Sequence, residues 1–106
     1  MIAKTKTAPY YAVIFTSLRT PVEEGYSEMA NRMVELAQQQ PGFLGVESAR
    51  SEVGITISYW DSIESIKSWK NNTQHRFAQN MGKSKWYQNF AVRICKVESD
   101  YFFEKE

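Results

Sequence analysis

The stretch Pro41-Gly42-Phe43-Leu44-Gly45-Val46 begins the part of the chain that decides the fold, which runs on to Tyr59-Trp60-Asp61. Pro41-Gly42 ends a preceding helix, and residues 43–49 and 53–60 are rich in the β-branched and aromatic residues that favour strands. The connection between them is short enough for a hairpin. The sequence therefore predicts a helix followed by two adjacent antiparallel strands.

The second of these strands has two different faces. One face carries Val53, Ile55, Ile57 and Tyr59, and the other carries Thr56, Ser58 and Trp60. Alternate residues of a strand point to opposite sides of a sheet. Because the first face is the more continuously apolar, we expect it to pack on helices.

The helix upstream of Pro41 has a clear predicted start at Thr20-Pro21-Val22-Glu23. Thr20 can cap the free amides, Pro21 suits the first helical position, and Glu23 can close a capping box. Gly25 would then lie inside the helix, at a cost of about 1 kcal/mol relative to alanine. The residues that follow the spacing of one apolar helical face are Val22, Tyr26, Met29, Ala30, Met33, Leu36 and Ala37.

Two further helices are predicted downstream of the hairpin. Asp61 is expected to cap the first, with Glu64 three positions later, and the second is expected to start at Thr73. Gly82 indicates a bend or stop before the last strand. The apolar residues on the inner sides of these helices are Ile63, Ile66, Trp69, Phe77, Ala78 and Met81.

The first and last strands are predicted at residues 10–18 and 87–101. The order of elements is then strand, helix, strand, strand, helices, strand. This order predicts an α+β, ferredoxin-like fold, in which helices cover one face of a four-stranded antiparallel sheet. We expect one domain over residues 10–101, preceded by a flexible N-terminus over residues 1–9.

The first and last strands are apolar on both faces, yet helices can cover only one face of the sheet. A two-fold dimer that stacks sheet on sheet would cover the other, forming a dimeric α/β barrel. The aromatic run Tyr101-Phe102-Phe103 leads into a tail over residues 102–106, which we expect to clasp the partner subunit. The alternative is a disordered tail that happens to be aromatic.

Composition narrows the classes of partner. Thirteen Lys and Arg against twelve Asp and Glu give a net charge of +1, and the basic residues are scattered, which argues against nucleic acid. The chain lacks the apolar run of a signal peptide or a membrane span, so a cytoplasmic protein is expected. Cys95 lies in an apolar strand pattern and is expected to be a buried, reduced thiol.

Four pieces of this chain also resemble a known family when they are taken in order. They are Pro41-Gly42-Phe43-Leu44-Gly45, Tyr59-Trp60-Asp61-Ser62, Trp69 followed by Asn71-Asn72-Thr73-Gln74-His75, and Val92-Arg93-Ile94-Cys95-Lys96-Val97-Glu98. Over residues 10–101 the chain resembles the antibiotic biosynthesis monooxygenase family of dimeric α/β barrels. The resemblance implies a homodimer with a pocket in each subunit between helices and sheet.

The same resemblance implies a chemistry. Members with known activity oxygenate small aromatic or quinol compounds with molecular oxygen, often without flavin, metal or prosthetic group. On this reading the chain is a cofactor-independent monooxygenase with no metal, no cofactor, no nucleic acid and no membrane among its partners. The family also includes proteins without assigned reactions, so a non-catalytic dimeric binding or stress-response protein remains an alternative.

Trp69 and His75 are the predicted catalytic residues. Trp69 resembles the family's pocket tryptophan, whose indole nitrogen can donate to a substrate, and its other reading is plain core packing. His75 is the one side chain whose ordinary pKa lies near neutrality, which suits a proton shuttle. Its other reading is a helix-start histidine bonded to a nearby carbonyl or to water.

Four further residues are predicted to bind substrate. Arg76 and Arg93 can stabilise an anionic substrate, or form ion pairs at a subunit interface. Tyr26 and Tyr59 can line the pocket, although both also lie on apolar faces that suit a core. One histidine and one cysteine cannot supply a zinc or iron site of the usual kind.

Haem binding is a second alternative, and here the sequence departs from the haem-degrading branch of the family. That branch has an asparagine in the first strand and an iron-ligating histidine about ten positions after its tryptophan. The predicted first strand has no asparagine, and Gln79 stands ten positions after Trp69. The resemblance therefore makes haem degradation the least favoured reading.

Overall fold

Four strands and three helices alternate along the chain in the predicted order. The computed structural model describes residues 2–106, apart from the side chain of Thr73, so Met1 of the predicted flexible N-terminus lies outside the described residues. The elements are β1 (Tyr10–Arg19), α1 (Tyr26–Gln38), β2 (Phe43–Arg50), β3 (Gly54–Trp60), α2 (Ile63–Lys70), α3 (Thr73–Met81), a π-helical turn (Gly82–Trp86) and β4 (Tyr87–Val97).

The strands form one antiparallel sheet in the order β2-β3-β1-β4. This topology confirms the predicted α+β, ferredoxin-like fold. The hairpin between β2 and β3 and the pairing of the first strand with the last also agree with the sequence pattern. The last strand is shorter than predicted, because its pairing with β1 ends at Val97 and the chain continues without regular structure.

The hydrophobic core lies on the Trp60 face of the sheet. Trp60 has no exposed surface and packs with Leu36 and Ala37 of α1 and with Ile66 and Trp69 of α2. The prediction that the Val53, Ile55, Ile57 and Tyr59 face packs on helices is therefore wrong. Trp60 alone supplies a large apolar surface, and its indole N–H donates to the Ser58 hydroxyl at 2.9 Å, which pairs two polar groups on the covered face.

The first helix begins later than the capping-box pattern indicates. The backbone N–H of Thr20 donates to the Trp86 carbonyl at 2.9 Å, and its hydroxyl donates to the Lys85 carbonyl, so Thr20 is tied to the π-helical turn. Gly25 is the N-cap of α1, with a φ of 80° in the left-handed region that favours glycine. The predicted cap and the predicted mid-helix glycine are both wrong.

Polar side chains fix the starts of α2 and α3. Ser62, and not Asp61 as predicted, caps α2 by accepting a hydrogen bond from the Ser65 N–H at 3.1 Å. Asn72 caps α3 by accepting from the N–H groups of Gln74 and His75 at 3.0 and 3.2 Å. The two caps set the angle of the α2–α3 corner.

The sheet face opposite the helices, called here the uncovered face, has no helix over it, and the N-terminal segment and the tail lie only against its end at Tyr10. Ile55 on this face is 43% exposed, and Cys95 is exposed. The prediction of a buried thiol is wrong for the single chain, because no helix lies over this side of β4. Beyond β4, Tyr101 and Phe103 are 91% and 83% exposed. Within residues 2–106 no helix is long and apolar enough to cross a membrane.

Candidate functional site

Trp69 and His75 meet at the corner between α2 and α3. Their rings stack with centroids 4.2 Å apart and an angle of 14° between planes. Nδ1 of His75 lies 3.0 Å from the carbonyl oxygen of Trp69. Asn72 caps α3 through the His75 amide, so the cap that starts the helix also folds the imidazole back onto the preceding helix.

The hydrogen bond to Trp69 assigns the tautomer of His75. A carbonyl oxygen can only accept, so Nδ1 carries the hydrogen and Nε2 carries the free lone pair. Burial lowers the pKa of His75, and the hydrogen bond to the Trp69 carbonyl opposes that shift in part. At neutral pH the imidazole is therefore uncharged, with Nε2 available as a base.

Trp69 is also part of the core. It is 9% exposed, and it stacks on Trp60 with ring centroids 6.1 Å apart and an angle of 28°. The core-packing reading of Trp69 matches these contacts, and its role as a donor to substrate stays a prediction. The carbonyl-bonded reading of His75 likewise matches the geometry, without removing Nε2 from use.

Tyr26 lies in a different aromatic cluster at the start of α1. Its ring meets Trp86 and Tyr87 edge to face, each at 5.9 Å, and the Arg19 guanidinium carbon lies 3.3 Å from its ring centroid. The Tyr87 hydroxyl donates to the Tyr26 hydroxyl at 3.4 Å. Burial, and then that hydrogen bond, raise the pKa of Tyr87.

The two clusters are separated along the sheet. Tyr11 of β1 pairs with Trp60 of the first cluster, whereas Arg19 at the other end pairs with Tyr87 of the second. Eight residues of extended strand span roughly 25 Å at about 3.3 Å per residue. Tyr26 therefore belongs to a different aromatic cluster from Trp69 and His75.

Tyr59 and Arg93 lie on the uncovered face of the sheet, away from the helices. The Tyr59 hydroxyl donates to Oε1 of Glu47 at 2.7 Å, and burial followed by this bond raises the pKa of Tyr59 to about 12. Arg93 pairs with Ile14 and is exposed. Arg76, the neighbour of His75 in α3, is exposed as well.

Of the six residues predicted for the site, the structure thus brings together Trp69 and His75. Two other residues support that pair and were missed, namely Trp60 and Asn72. Asn72 had a readable signal, because an asparagine three positions before His75 fits the N-cap pattern. Within residues 2–106, no group of three or more His, Cys, Asp or Glu side chains is arranged to hold a metal ion.

Comparison with known proteins agrees with this architecture. Residues 9–81 match the family model described as antibiotic biosynthesis monooxygenase. The chain is 49% identical over 106 residues to the uncharacterized protein YqjZ of Bacillus subtilis strain 168, covering 98% of this chain and 93% of that protein.

Solved structures show the same fold at low identity. Rv0793 from Mycobacterium tuberculosis superposes with a TM-score of 0.76 at 11% identity, over 88% of this chain and 98% of that one. SnoaB, a cofactor-independent oxygenase from Streptomyces nogalater, superposes with a TM-score of 0.70 at 9% identity, over 92% of this chain and all of that one. From the family match and the close relative together, the chain belongs to the antibiotic biosynthesis monooxygenase family.

Proposed function

We propose that the protein is a cofactor-independent monooxygenase that acts on a small aromatic or quinol compound with molecular oxygen. The observation that carries the proposal is the His75 imidazole, held neutral against Trp69 with Nε2 free. Family membership supports it, and so does the likeness in fold to an oxygenase that works without a cofactor. Family membership supports the choice of substrate class, and the geometry of His75 supports its role as the base.

The proposed reaction requires few side chains of the protein. Nε2 of His75 would take the proton of a phenol, and a phenolate ring carbon that carries a hydrogen, ortho or para to the oxygen, would add molecular oxygen to form a hydroperoxide. Return of the proton to the peroxide, with breaking of the O–O bond and loss of the ring hydrogen, releases water and leaves a quinone. One oxygen atom stays in the product, the substrate supplies all the electrons, and no external reductant enters.

The test is oxygen uptake with a panel of phenols and hydroquinones, using isotopically labelled oxygen and mass spectrometry of the product. Label in the quinone distinguishes oxygenation from simple oxidation. His75→Asn keeps a side-chain donor for the Trp69 carbonyl but lacks Nε2, so the rate should fall about 100-fold or more, as for loss of a general base. Lys70→Gln changes an exposed residue next to Trp69 that has no predicted role in the site, and it should leave the rate unchanged.

Two results would contradict the oxygenase proposal. One is the absence of labelled product with every compound of the panel, and the other is an equal rate of oxygen uptake for the wild type and His75→Asn. A Soret band on titration with haem would instead favour the haem-binding alternative.

We also propose that two copies pack through their uncovered sheet faces and that the tail over residues 102–106 clasps the partner. The support is the apolar character of that face, including Ile55, and the exposure of Tyr101 and Phe103 beyond β4. Light scattering at micromolar concentration should give about twice the chain mass of 12.3 kDa. A clean monomer would contradict this assembly.

A non-catalytic binding protein is the second candidate. The observation that favours it is the dispersal of Tyr26, Tyr59 and Arg93 away from His75, which leaves few polar groups beside the imidazole. On this reading aromatic compounds would bind with unchanged affinity in His75→Asn and would show no turnover in the wild type. The labelled-oxygen experiment separates the two candidates.

A further inference from the structure

An open groove lies between α1 and α3, on the helical side of the molecule. Its volume is about 410 Å³, and its apolar surface is formed mainly by Met29, Phe77, Met81 and Trp86. Small-molecule sites are commonly clefts of this size, mostly apolar with a few polar groups, and one place where they occur is between helices. Because the proposed dimer uses the opposite face of the sheet, the groove stays open in that assembly.

The groove is separate from His75. Gln74, Phe77 and Met81 are three and four residues apart, so they share one side of α3. Phe77 and Met81 line the groove, and Gln74 contacts α1. His75 lies about 100° around the helix from Gln74 and stacks on Trp69 of α2 instead. Ligand binding in the groove therefore does not depend on the proposed oxygenase reaction.

The floor and walls of the groove suit a flat aromatic ligand. Trp86 is 4% exposed and lies at the base, and its indole N–H is already used, because it donates to the Glu24 carbonyl at 3.0 Å. Phe77 is 57% exposed, so one wall is an aromatic ring with little packed against it. Met29 and Met81 add thioethers, which adapt to the shape of a ligand and make favourable contacts with aromatic rings.

The end of the groove near the start of α3 carries a cation. Nη2 of Arg32 donates to Oε1 of Gln74 at 3.3 Å, which holds the guanidinium beside the first turn of α3. The carboxylate of Glu35 lies 3.9 Å from Nη1, and both side chains are more than half exposed, so this ion pair is weak. A guanidinium has five N–H donors, and it binds a carboxylate best through two of them in parallel. Arg32 therefore keeps donors for an acidic ligand.

A second charged group gives the groove a direction. The described residues that line it carry two charges, and the negative one is Glu28, one helical turn before Arg32. An acidic group is attracted at the Arg32 end and repelled nearer Glu28. From Gly25 to Arg32 the wall runs seven residues, roughly 10 Å at about 1.5 Å per residue. That length accommodates two fused rings and a carboxylate.

We propose that this groove binds a planar aromatic carboxylic acid of about two rings. The carboxylate pairs with Arg32, and the rings lie over Trp86 between Phe77 and the two methionines. An organic cation is disfavoured because Arg32 stands where its charged group would have to lie or pass. An uncharged aromatic compound makes the same ring contacts but gains nothing from the guanidinium.

The probe is 2-naphthoate, and the uncharged 2-naphthamide is the matched control ligand. Titration of the full chain, followed by proton–nitrogen NMR, measures affinity and location together. Naphthoate should bind saturably and about threefold more tightly than naphthamide, within the range of an exposed ion pair. The indole N–H signal of Trp86 should shift during the titration, whereas those of Trp60 and Trp69 should stay in place.

Variants separate the two halves of the site. Arg32→Gln should bring naphthoate down to the affinity of naphthamide, and Glu28→Gln should strengthen naphthoate binding. Phe77→Ala should weaken both ligands by about fivefold, the scale of an aromatic pair. Lys67→Gln removes an exposed cation of α2 outside the groove, so it should bind both ligands as the wild type does.

Three results would overturn this proposal. They are the absence of saturable naphthoate binding at millimolar concentration, equal affinity of the wild type for naphthoate and naphthamide, and shifts centred on Trp69 instead of Trp86. His75→Asn should bind naphthoate as the wild type does. Failure of the oxygenase proposal and failure of this one are therefore told apart in the same set of variants.

Discussion

Replacement of Gly42 by alanine should destabilise the protein strongly, because this glycine packs the entry of β2 against the start of α2. Its φ of 85° is unfavourable for alanine by about 1.5 kcal/mol. A Cβ at this position would collide with Ser65 Oγ and Asp61 Oδ1 and lie 2.7 Å from Ser65 Cβ. Relief of that collision breaks the 2.8 Å bond from Ser65 to Asp61 and disturbs the Ser62 cap, at about 1.5 kcal/mol in sum.

The total of about 3 kcal/mol can be measured as a shift in melting temperature. An unfolding entropy of about 2.1 cal/mol/K per residue gives about 0.22 kcal/mol per kelvin for this chain, so Gly42→Ala should lower Tm by roughly 14 °C. Gly25→Ala is the matched control. Its φ is 80° and its Cβ would lie 3.4 Å from Trp86, so it has the backbone cost without the collision and should lower Tm by about 7 °C.

The measurement is thermal unfolding by circular dichroism on both variants and the wild type. If Gly42→Ala loses no more stability than Gly25→Ala, the close contact between β2 and the α2 cap is refuted. The placement of α2, and with it of Trp69 over Trp60, would then rest on weaker contacts than those described.

Three other predictions concern the site and the uncovered face. Since burial lowers the pKa of His75, the folded state disfavours protonation of the imidazole. The stability that the neutral imidazole contributes is complete above pH 6.5 and is lost as pH falls from there through the folded pKa. Urea unfolding at several pH values should therefore show a smaller slope of stability against pH below 6.5 in His75→Asn than in the wild type. Asn72→Ala should cost about 1 kcal/mol, or roughly 5 °C in Tm, through loss of the α3 cap, and Asn72→Asp should recover most of it; equal melting of all three would refute the cap. Cys95 should react with a thiol reagent more slowly as protein concentration rises into the range where the mass doubles, whereas a constant rate would place it outside the proposed interface.

The sequence predicted the element order and topology well. The aromatic and β-branched run of β1, the hairpin after Pro41-Gly42 and the helical spacing before it are local features of the sequence, and the structure keeps all three. The resemblance to the antibiotic biosynthesis monooxygenase family was likewise confirmed by the family match.

The errors arose where contacts distant in sequence decide the outcome. Thr20 has the local pattern of a helix cap, but its backbone and hydroxyl bond the turn that precedes β4, more than sixty residues away. The sequence predicted the wrong face of β3 to meet the helices, because Trp60 outweighs several smaller apolar residues on the other side. No periodicity encodes either fact.

The closeness of Trp69 and His75 could be expected from the sequence, whereas the separation of Tyr26 and Tyr59 from them could not. Trp69 and His75 lie six positions apart across a helix corner, and the Asn72 cap that brings them together can be read from sequence. Tyr26 and Tyr59 looked equivalent because each lies on an apolar face. Tyr59 lies on the face of β3 opposite the helices, whereas Tyr26 belongs to α1, and which face of β3 meets the helices is fixed by the whole fold.

The central claim is that His75 is held as a neutral base with its hydrogen on Nδ1. Nitrogen-15 NMR of the imidazole across a pH titration reports both the tautomer and the pKa. The account predicts a protonated Nδ1 and an unprotonated Nε2 at neutral pH, with a pKa below the ordinary value of 6.5. A hydrogen on Nε2, or a pKa at or above 6.5, would contradict it.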